Sequence, residues 1–214
     1  AKPTFLGKPV DNRPCDEIEV RDSFVYTTAG YDGIGIFNIT NPASPEMIWQ
    51  DLILEAPIYD IDVQDSYIYA AYGIWGLNIY TKIGQTEWTG VNNYNDWGTA
   101  ISVSVNEQYA CVWFEEGRLQ IIDITNPWDI PVAGEWMGNG GGGGGKIITS
   151  DSYVFLANQS TGMTIFNITD PMAPTIVGTF DDGGTTYEID IVGDIAYIAD
   201  GEDGLEIVNI SNVS

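Results

Sequence analysis

Carboxylates recur in this chain at a fixed spacing. Glu17, Asp60 and Glu188 hold one position, and Glu19, Asp62 and Asp190 hold another two residues on. Both lie in the alternating runs "DEIEV" (16–20), "YDIDV" (59–63) and "YEIDIV" (187–192). Residues i and i+2 of a strand share a face, so these acids line one surface. Calcium takes several oxygen ligands and needs no nitrogen, which makes the set a candidate metal site. A second acidic group lies in "FDDGG" (180–184) and "DGEDG" (200–204), with Asp181, Asp182, Asp200, Glu202 and Asp203. Neither run completes an EF-hand loop, and Asp and Gly also build tight turns unaided.

Paired carboxylates can also serve as the acid and base of glycoside hydrolysis. Acids that occur once per repeat are more simply solvated or structural, so the expectation is a protein without catalysis. The chain contains no histidine. That removes Ser-His-Asp and Cys-His nucleophile pairs, imidazole metal ligands and haem ligation by His. The run Gly140–Gly145 precedes Lys146 and then a strand, whereas a phosphate loop needs Lys-Ser/Thr and a helix. Calcium is therefore the expected cofactor, with no haem and no nucleotide.

The elements that position these acids repeat. A strand anchor recurs at Phe24, Tyr67, Tyr109, Tyr153 and Ile195, in steps of 43, 42, 44 and 42 residues. A second anchor keeps the same phase at Ile34, Leu77, Leu119, Met163 and Leu205. A strand-built period in the low forties is the signature of propeller blades. The spacing predicts an all-β, five-bladed β-propeller of four-stranded antiparallel blades, forming one domain over 1–214. Its repeats are expected near 8–49, 50–90, 91–134, 135–178 and 179–214 plus 1–7. Asn41-Pro42, Asn126-Pro127 and Asp170-Pro171 end the third strand of three units, because proline blocks further pairing. The second unit lacks both prolines in "TKIGQTEWTG" (81–90), so its outer strand carries the weakest signal.

Lys and Arg number 7 against 31 Asp and Glu, a net charge of −24. No basic patch can be assembled, so nucleic acid and anionic membranes are poor partners. No run of 18 apolar residues exists, so no helical membrane span is expected. The chain begins at Ala1 rather than Met, which suits a processed, exported protein or an excised fragment. Sequons stand at Asn38, Asn158, Asn167, Asn209 and Asn212. They are candidate glycosylation sites in an exported chain. Asn38, Asn167 and Asn209 share one repeat position with Asp123, which also fits a copied turn residue. Cys15 and Cys111 fall at different repeat positions, and free buried thiols are the default reading.

The segment "IAYIADGEDGLEIVNIS" (195–211), with "TNPASPEMI" (40–48) and "TDPMAPTIVG" (169–178), resembles the LVIVD-repeat family over essentially the whole chain. The resemblance implies a surface or secreted β-propeller of bacterial or archaeal type, and it implies no reaction. The acid that such repeats carry in the innermost strand matches Glu17, Asp60 and Glu188. Ser102 and Lys146 break that ring.

The two chain ends complement each other. Joined, "NISNVS" and "AKPTFLG" reproduce the "NITDPMAPTIVG" of the fourth unit with one extra residue. Pro3, Thr4, Phe5, Leu6 and Gly7 are thus the expected outer strand of the last blade. That strand either closes its own propeller or is donated to a neighbouring copy. The loops after each second strand and before each first strand gather on one face, with Tyr31, Trp75, Tyr94 and Trp97. The leading expectation is an extracellular or cell-surface structural subunit that associates with itself head to tail, stabilised by calcium, in a surface assembly or filament. The alternative is a monomeric module that binds glycan or protein through the aromatic and acidic loop face.

Overall fold

Asp22, Asp65, Asp151 and Gly193 share one left-handed backbone setting, with φ of 53°, 54°, 51° and 59°. Each is the first of two residues joining an inner strand to the next strand. A tight hairpin demands this conformation, and Asp and Gly tolerate it. The third unit turns differently, with Asn106 accepting the backbone N–H of Gln108 and Tyr109 at 3.0 and 2.8 Å. The structure, a computed structural model, describes residues 2–9, 14–52, 55–84, 86–138, 143–159 and 161–213. Gly140, Gly141 and Gly142 lie outside the described residues.

These hairpins build five antiparallel sheets. Blade one holds β1 (Glu17–Arg21), β2 (Phe24–Thr28), β3 (Ile34–Asn38) and β4 (Glu46–Asp51). Blade two holds β5 (Asp60–Gln64), β6 (Tyr67–Ala71), β7 (Leu77–Lys82) and β8 (Trp88–Tyr94). Blade three holds β9 (Ala100–Val105), β10 (Tyr109–Phe114), β11 (Arg118–Asp123) and β12 (Val132–Met137). Blade four holds β13 (Lys146–Ser150), β14 (Tyr153–Ala157), β15 (Met163–Asn167) and β16 (Thr175–Phe180). Blade five holds β17 (Glu188–Val192), β18 (Ile195–Asp200) and β19 (Gly204–Asn209), with one short 3-10 turn at Gly201–Asp203. The expected propeller of five blades is what the chain forms. The repeat boundaries expected at 49, 90, 134 and 178 fall two to four residues short, since the outer strands run to Asp51, Tyr94, Met137 and Phe180. Blade two makes a regular outer strand without its prolines, because β8 keeps full pairing to β7.

Each outer strand carries a bulge at one place, opposite Ile36/Phe37, Ile79/Tyr80, Ile121/Ile122 and Ile165/Phe166. A bulge increases local twist and turns the edge away from further pairing. The described part of blade five differs. Its sheet has three strands, and β19 is its outer edge. Pro3–Gly7, the expected fourth strand, is not paired with β19 within this chain.

Four apolar cores lie between neighbouring blades. The largest shared layers are Ile34 and Ile36 with Ile58 and Ile61, and Leu77 and Ile79 with Val103 and Val112. Leu119 and Ile121 meet Ile147 and Leu156, and Phe155 and Ile165 meet Ile189 and Ile198. Among the described residues no such core joins blade five to blade one. The propeller is an arc with a seam.

Candidate functional site

The inner strands of blades two, three and four are tied by side chains that accept backbone N–H groups from the next blade. Asp60 Oδ1 accepts from Ile61 N at 2.9 Å, and its Oδ2 accepts from Val103 N at 2.9 Å and Ser102 Oγ at 2.6 Å. Asp62 repeats this on Val63 N at 2.7 Å and Val105 N at 2.8 Å. Ser102 and Ser104 then accept from Ile147 N and Thr149 N, each at 3.0 Å. The serines that break the acidic series therefore continue its structural role in blade three. Buried carboxylates need such partners, since an unpaired one costs several kcal/mol, on the order of the buried-charge penalty.

The strands enclose a cavity of about 440 Å³, lined by Glu17, Glu19, Arg21, Asp60, Asp62, Lys146, Glu188 and Asp190 among others. The six inner-strand acids expected to face one channel do so. Two of the few cations in the chain enter with them. Lys146 Nζ lies 2.7 Å from Asp60 Oδ1 and 3.0 Å from Glu17 Oε2. Arg21 pairs with Glu19 at 3.0 Å and Asp62 at 3.4 Å. Burial pulls the Lys146 ammonium down, but the carboxylates of Asp60 and Glu17 outweigh it and hold Lys146 above its ordinary range. Burial pushes Glu17 and Glu188 up, with Lys146 opposing. At Asp60 and Glu17 a protein ammonium thus occupies the place expected for a metal ion. Lys146 does not merely interrupt the acidic ring; it neutralises part of it.

The second acidic group converges only in part. Asp182, Asp200 and Glu206 each bring a carboxylate oxygen within 4.8 Å of the others. Asp181 is outside this trio and accepts the N–H of Gly183 at 3.1 Å, as a turn residue does. Asp200 is buried, with Thr186 Oγ1 donating to it at 3.0 Å. Glu206 was not among the expected ligands, because alternation within "GLEIVNI" marks it only as a polar strand residue. Partial burial and then Asp182, Asp200 and Asp203 push its carboxyl up to about 7. A raised carboxyl contributes stability that is complete below its unfolded value, near 4.5, and lost as pH rises through about 7. Thermal unfolding is therefore expected to shift downward between pH 5 and pH 8, and Glu206→Gln to flatten that shift. An equally steep profile in the variant would exclude Glu206 as the source.

The aromatic face is built unevenly. Arg118 is buried and donates to Asp96 Oδ2 at 3.0 Å, Asp96 O at 2.6 Å and Trp97 O at 2.7 Å. That clamp fixes the loop carrying Trp97, whose side chain is 90% exposed. Tyr31 and Trp75 are also exposed. Tyr94 is half-buried, with its hydroxyl bonded to Asp96 and Gln120 at 3.3 Å. It supports the loop more than it presents a surface.

Asn38, Asn167 and Asn209 accept the N–H two residues on, from Thr40, Thr169 and Ser211, at 2.9, 2.8 and 2.9 Å. Asp123 does the same for Thr125 at 2.9 Å. This turn chemistry accounts for the repeat of the Asn. Asn158 bonds Thr161 Oγ1 at 2.7 Å, and Asn212 is exposed. Cys15 and Cys111 are both free; Cys111 is buried, whereas Cys15 is exposed rather than enclosed.

The seam leaves two sheet faces uncovered. Leu205 and Ile207 are 67% and 63% exposed, although Met163 and Ile165, one repeat earlier, are 1% and 3% exposed against blade five. Ile18 is 60% exposed, although Ile189, its counterpart, is buried against blade four. Beside Ile18 lies a cavity of about 400 Å³ lined also by Val25, Thr27, Phe37, Ile39 and Gly7.

The family model for the LVIVD repeat matches residues 97–135, 141–182 and 183–214. No curated protein matches. Two computationally designed proteins share the fold at 8% identity. Ika8 aligns over 98% of this chain and 63% of its own, with a TM-score of 0.72. Ika4 aligns over 78% of this chain and 99% of its own, with a TM-score of 0.58. This chain thus spans under two thirds of the length of Ika8.

Proposed function

This chain belongs to the LVIVD-repeat family, and we propose that it is a non-catalytic, exported structural subunit that associates with copies of itself head to tail. The observation that carries this reading is the seam. Four blade junctions are filled by apolar cores, while the fifth offers its two complementary faces to solvent on one chain. A face present at each end, with different residues, makes a heterologous contact that grows into a ring or filament. The inner-strand acids support the same reading, since Glu17, Asp60 and Asp62 are engaged in holding blades together. Exposed apolar strands of this kind are otherwise an aggregation hazard.

At −24 per chain, neighbouring copies repel unless ions screen them. Association is therefore expected to rise with ionic strength and with millimolar calcium, and to fall with chelator at low salt. Calcium acts here as the stabilising cation, with Asp182, Asp200 and Glu206 the best-grouped oxygen donors. Light scattering that finds a monomer at every salt and calcium concentration would sink the proposal. In this reading the assembly is extracellular, and the exposed Asn212 is its most accessible candidate glycosylation site.

A second reading has one observation in its favour. Trp97 is held outward by the Arg118 clamp, as an aromatic platform for glycan or protein would be. Glycan-array or pull-down signal that disappears in Trp97→Ala, from a chain that stays monomeric, would establish the binding module instead.

A further inference from the structure

We infer that the joint between copies is made by strand donation: Pro3–Gly7 of one copy forms the fourth strand of blade five in the next, and Lys8 meets Glu206 across it. The inference rests on the self-association reading and specifies how it is achieved. Its first support is where the N-terminal segment sits. Built onto Gly7, a Cβ would fall 2.6 Å from Ala43 O and 3.0 Å from Pro42 O, in the turn between β3 and β4. In blade three the outer-strand Gly134 abuts the equivalent turn of blade four, at Pro171 and Met172. In blade four the outer-strand Gly178 faces Val213 in blade five. Gly7 therefore already stands on blade one as the outer-strand glycine of a preceding blade. The three inner strands of that preceding blade are what a second copy supplies with β17, β18 and β19.

Register follows from the repeat. In blade four, Asn167, Phe166, Ile165 and Thr164 pair with Thr175, Ile176, Gly178 and Thr179. Moved by one repeat, Asn209, Val208, Ile207 and Glu206 pair with Thr4, Phe5, Gly7 and Lys8 of the donor, and Leu6 takes the bulge. Directly opposed residues of an antiparallel pair stand about 5 Å apart. One of the seven cations in the chain is thus brought to the trio Asp182, Asp200 and Glu206, which has no cation of its own among the described residues. The charge of the donor strand matches the charge of the edge that receives it.

The inner strands agree. Asp190 Oδ1 accepts the N–H of Ile191 at 2.9 Å, the same setting as Asp60 and Asp62 on their own neighbours. In those two, Oδ2 is the oxygen that takes an N–H from the next blade. Among the described residues Asp190 Oδ2 has no donor. By the repeat, Val20 of the following copy would supply it. Lys146 of blade four reaches Asp60 of blade two and Glu17 of blade one directly, whereas Glu188 and Asp190 of blade five line the same channel without an ion pair among the described residues.

The test uses the full chain in a Cys15→Ser background. Phe5→Cys and Val208→Cys are made separately, mixed and oxidised. A covalent dimer that forms only in the mixture is the expected result. Lys8→Glu and Glu206→Lys are each expected to weaken association about tenfold, and their combination in one chain to restore it. Association that survives both reversals, with no cross-link, would overturn strand donation while leaving self-association standing. A wild-type monomer whose Phe5→Cys, Val208→Cys double variant cross-links within itself would overturn both.

Discussion

Lys146→Met is expected to destabilise the protein by about 3–5 kcal/mol at neutral pH, the range for removing one partner of a buried ion pair. Asp60 is 1% exposed, and Lys146, at 2.7 Å, is its only ion-pair partner among the described residues. Burial already pushes its carboxyl upward against the pull of Lys146, Ser102 and Val103. Without the ammonium, that carboxyl rises further and the native state takes up a proton more readily than the unfolded chain. Stability from such a group is present below its unfolded value and lost as pH climbs through the folded one. The deficit of the variant is therefore largest at and above neutral pH and shrinks on acidification. Chemical denaturation at pH 5 and pH 8 measures both features. Asp60→Asn added to Lys146→Met should recover much of the loss. A neutral-pH loss below about 1 kcal/mol, the value of an exposed pair, would show that the channel is solvated enough to screen it.

Gly134→Ala is the second large effect. A methyl group at Gly134 would fall on the carbonyl of Pro171, and backbone cannot rotate away as a side chain can. Overpacking of this kind costs about 1–3 kcal/mol and occasionally more, and the upper end is expected because both sides are main chain. The same change at Gly7 separates the two roles of this position. Gly7 lies on a segment outside any described strand, so in the isolated chain it can shift. Gly7→Ala should leave the melting temperature within about 2 °C and weaken association between copies. Equal melting losses in the two variants would mean that Pro3–Gly7 is already locked within one chain.

Much of this was legible in the chain itself. Alternation in "YDIDV" and "YEIDIV" placed the acids on a common face, and paired anchors one repeat apart set five blades in phase. The propeller, its inner-strand acids and the turn role of Asn-Pro are local consequences of period-two alternation and of proline. The outer strands run two to four residues past the approximate repeat limits, because periodicity fixes the phase of a unit and not where its last strand stops pairing. Trp97 and Tyr94 looked alike in sequence. Arg118 distinguishes them, and it lies some twenty residues away.

Repetition alone determined how many blades there are and which residue types meet between them, since each unit buries its face only against another like it. Three matters were left to tertiary structure. Lys146 reaches across the channel to Glu17 and Asp60, 129 and 86 positions away, and a repeat pattern could show only that it departs from the series. Glu206 joins Asp182 and Asp200 because β19 folds back beside the turn that precedes β17. The seam shows only in the fold, where Leu205, Ile207 and Ile18 are exposed although Met163, Ile165 and Ile189 at the same repeat positions are buried. Packing across a junction is a relation between two blades, so it is not a property of any single repeat.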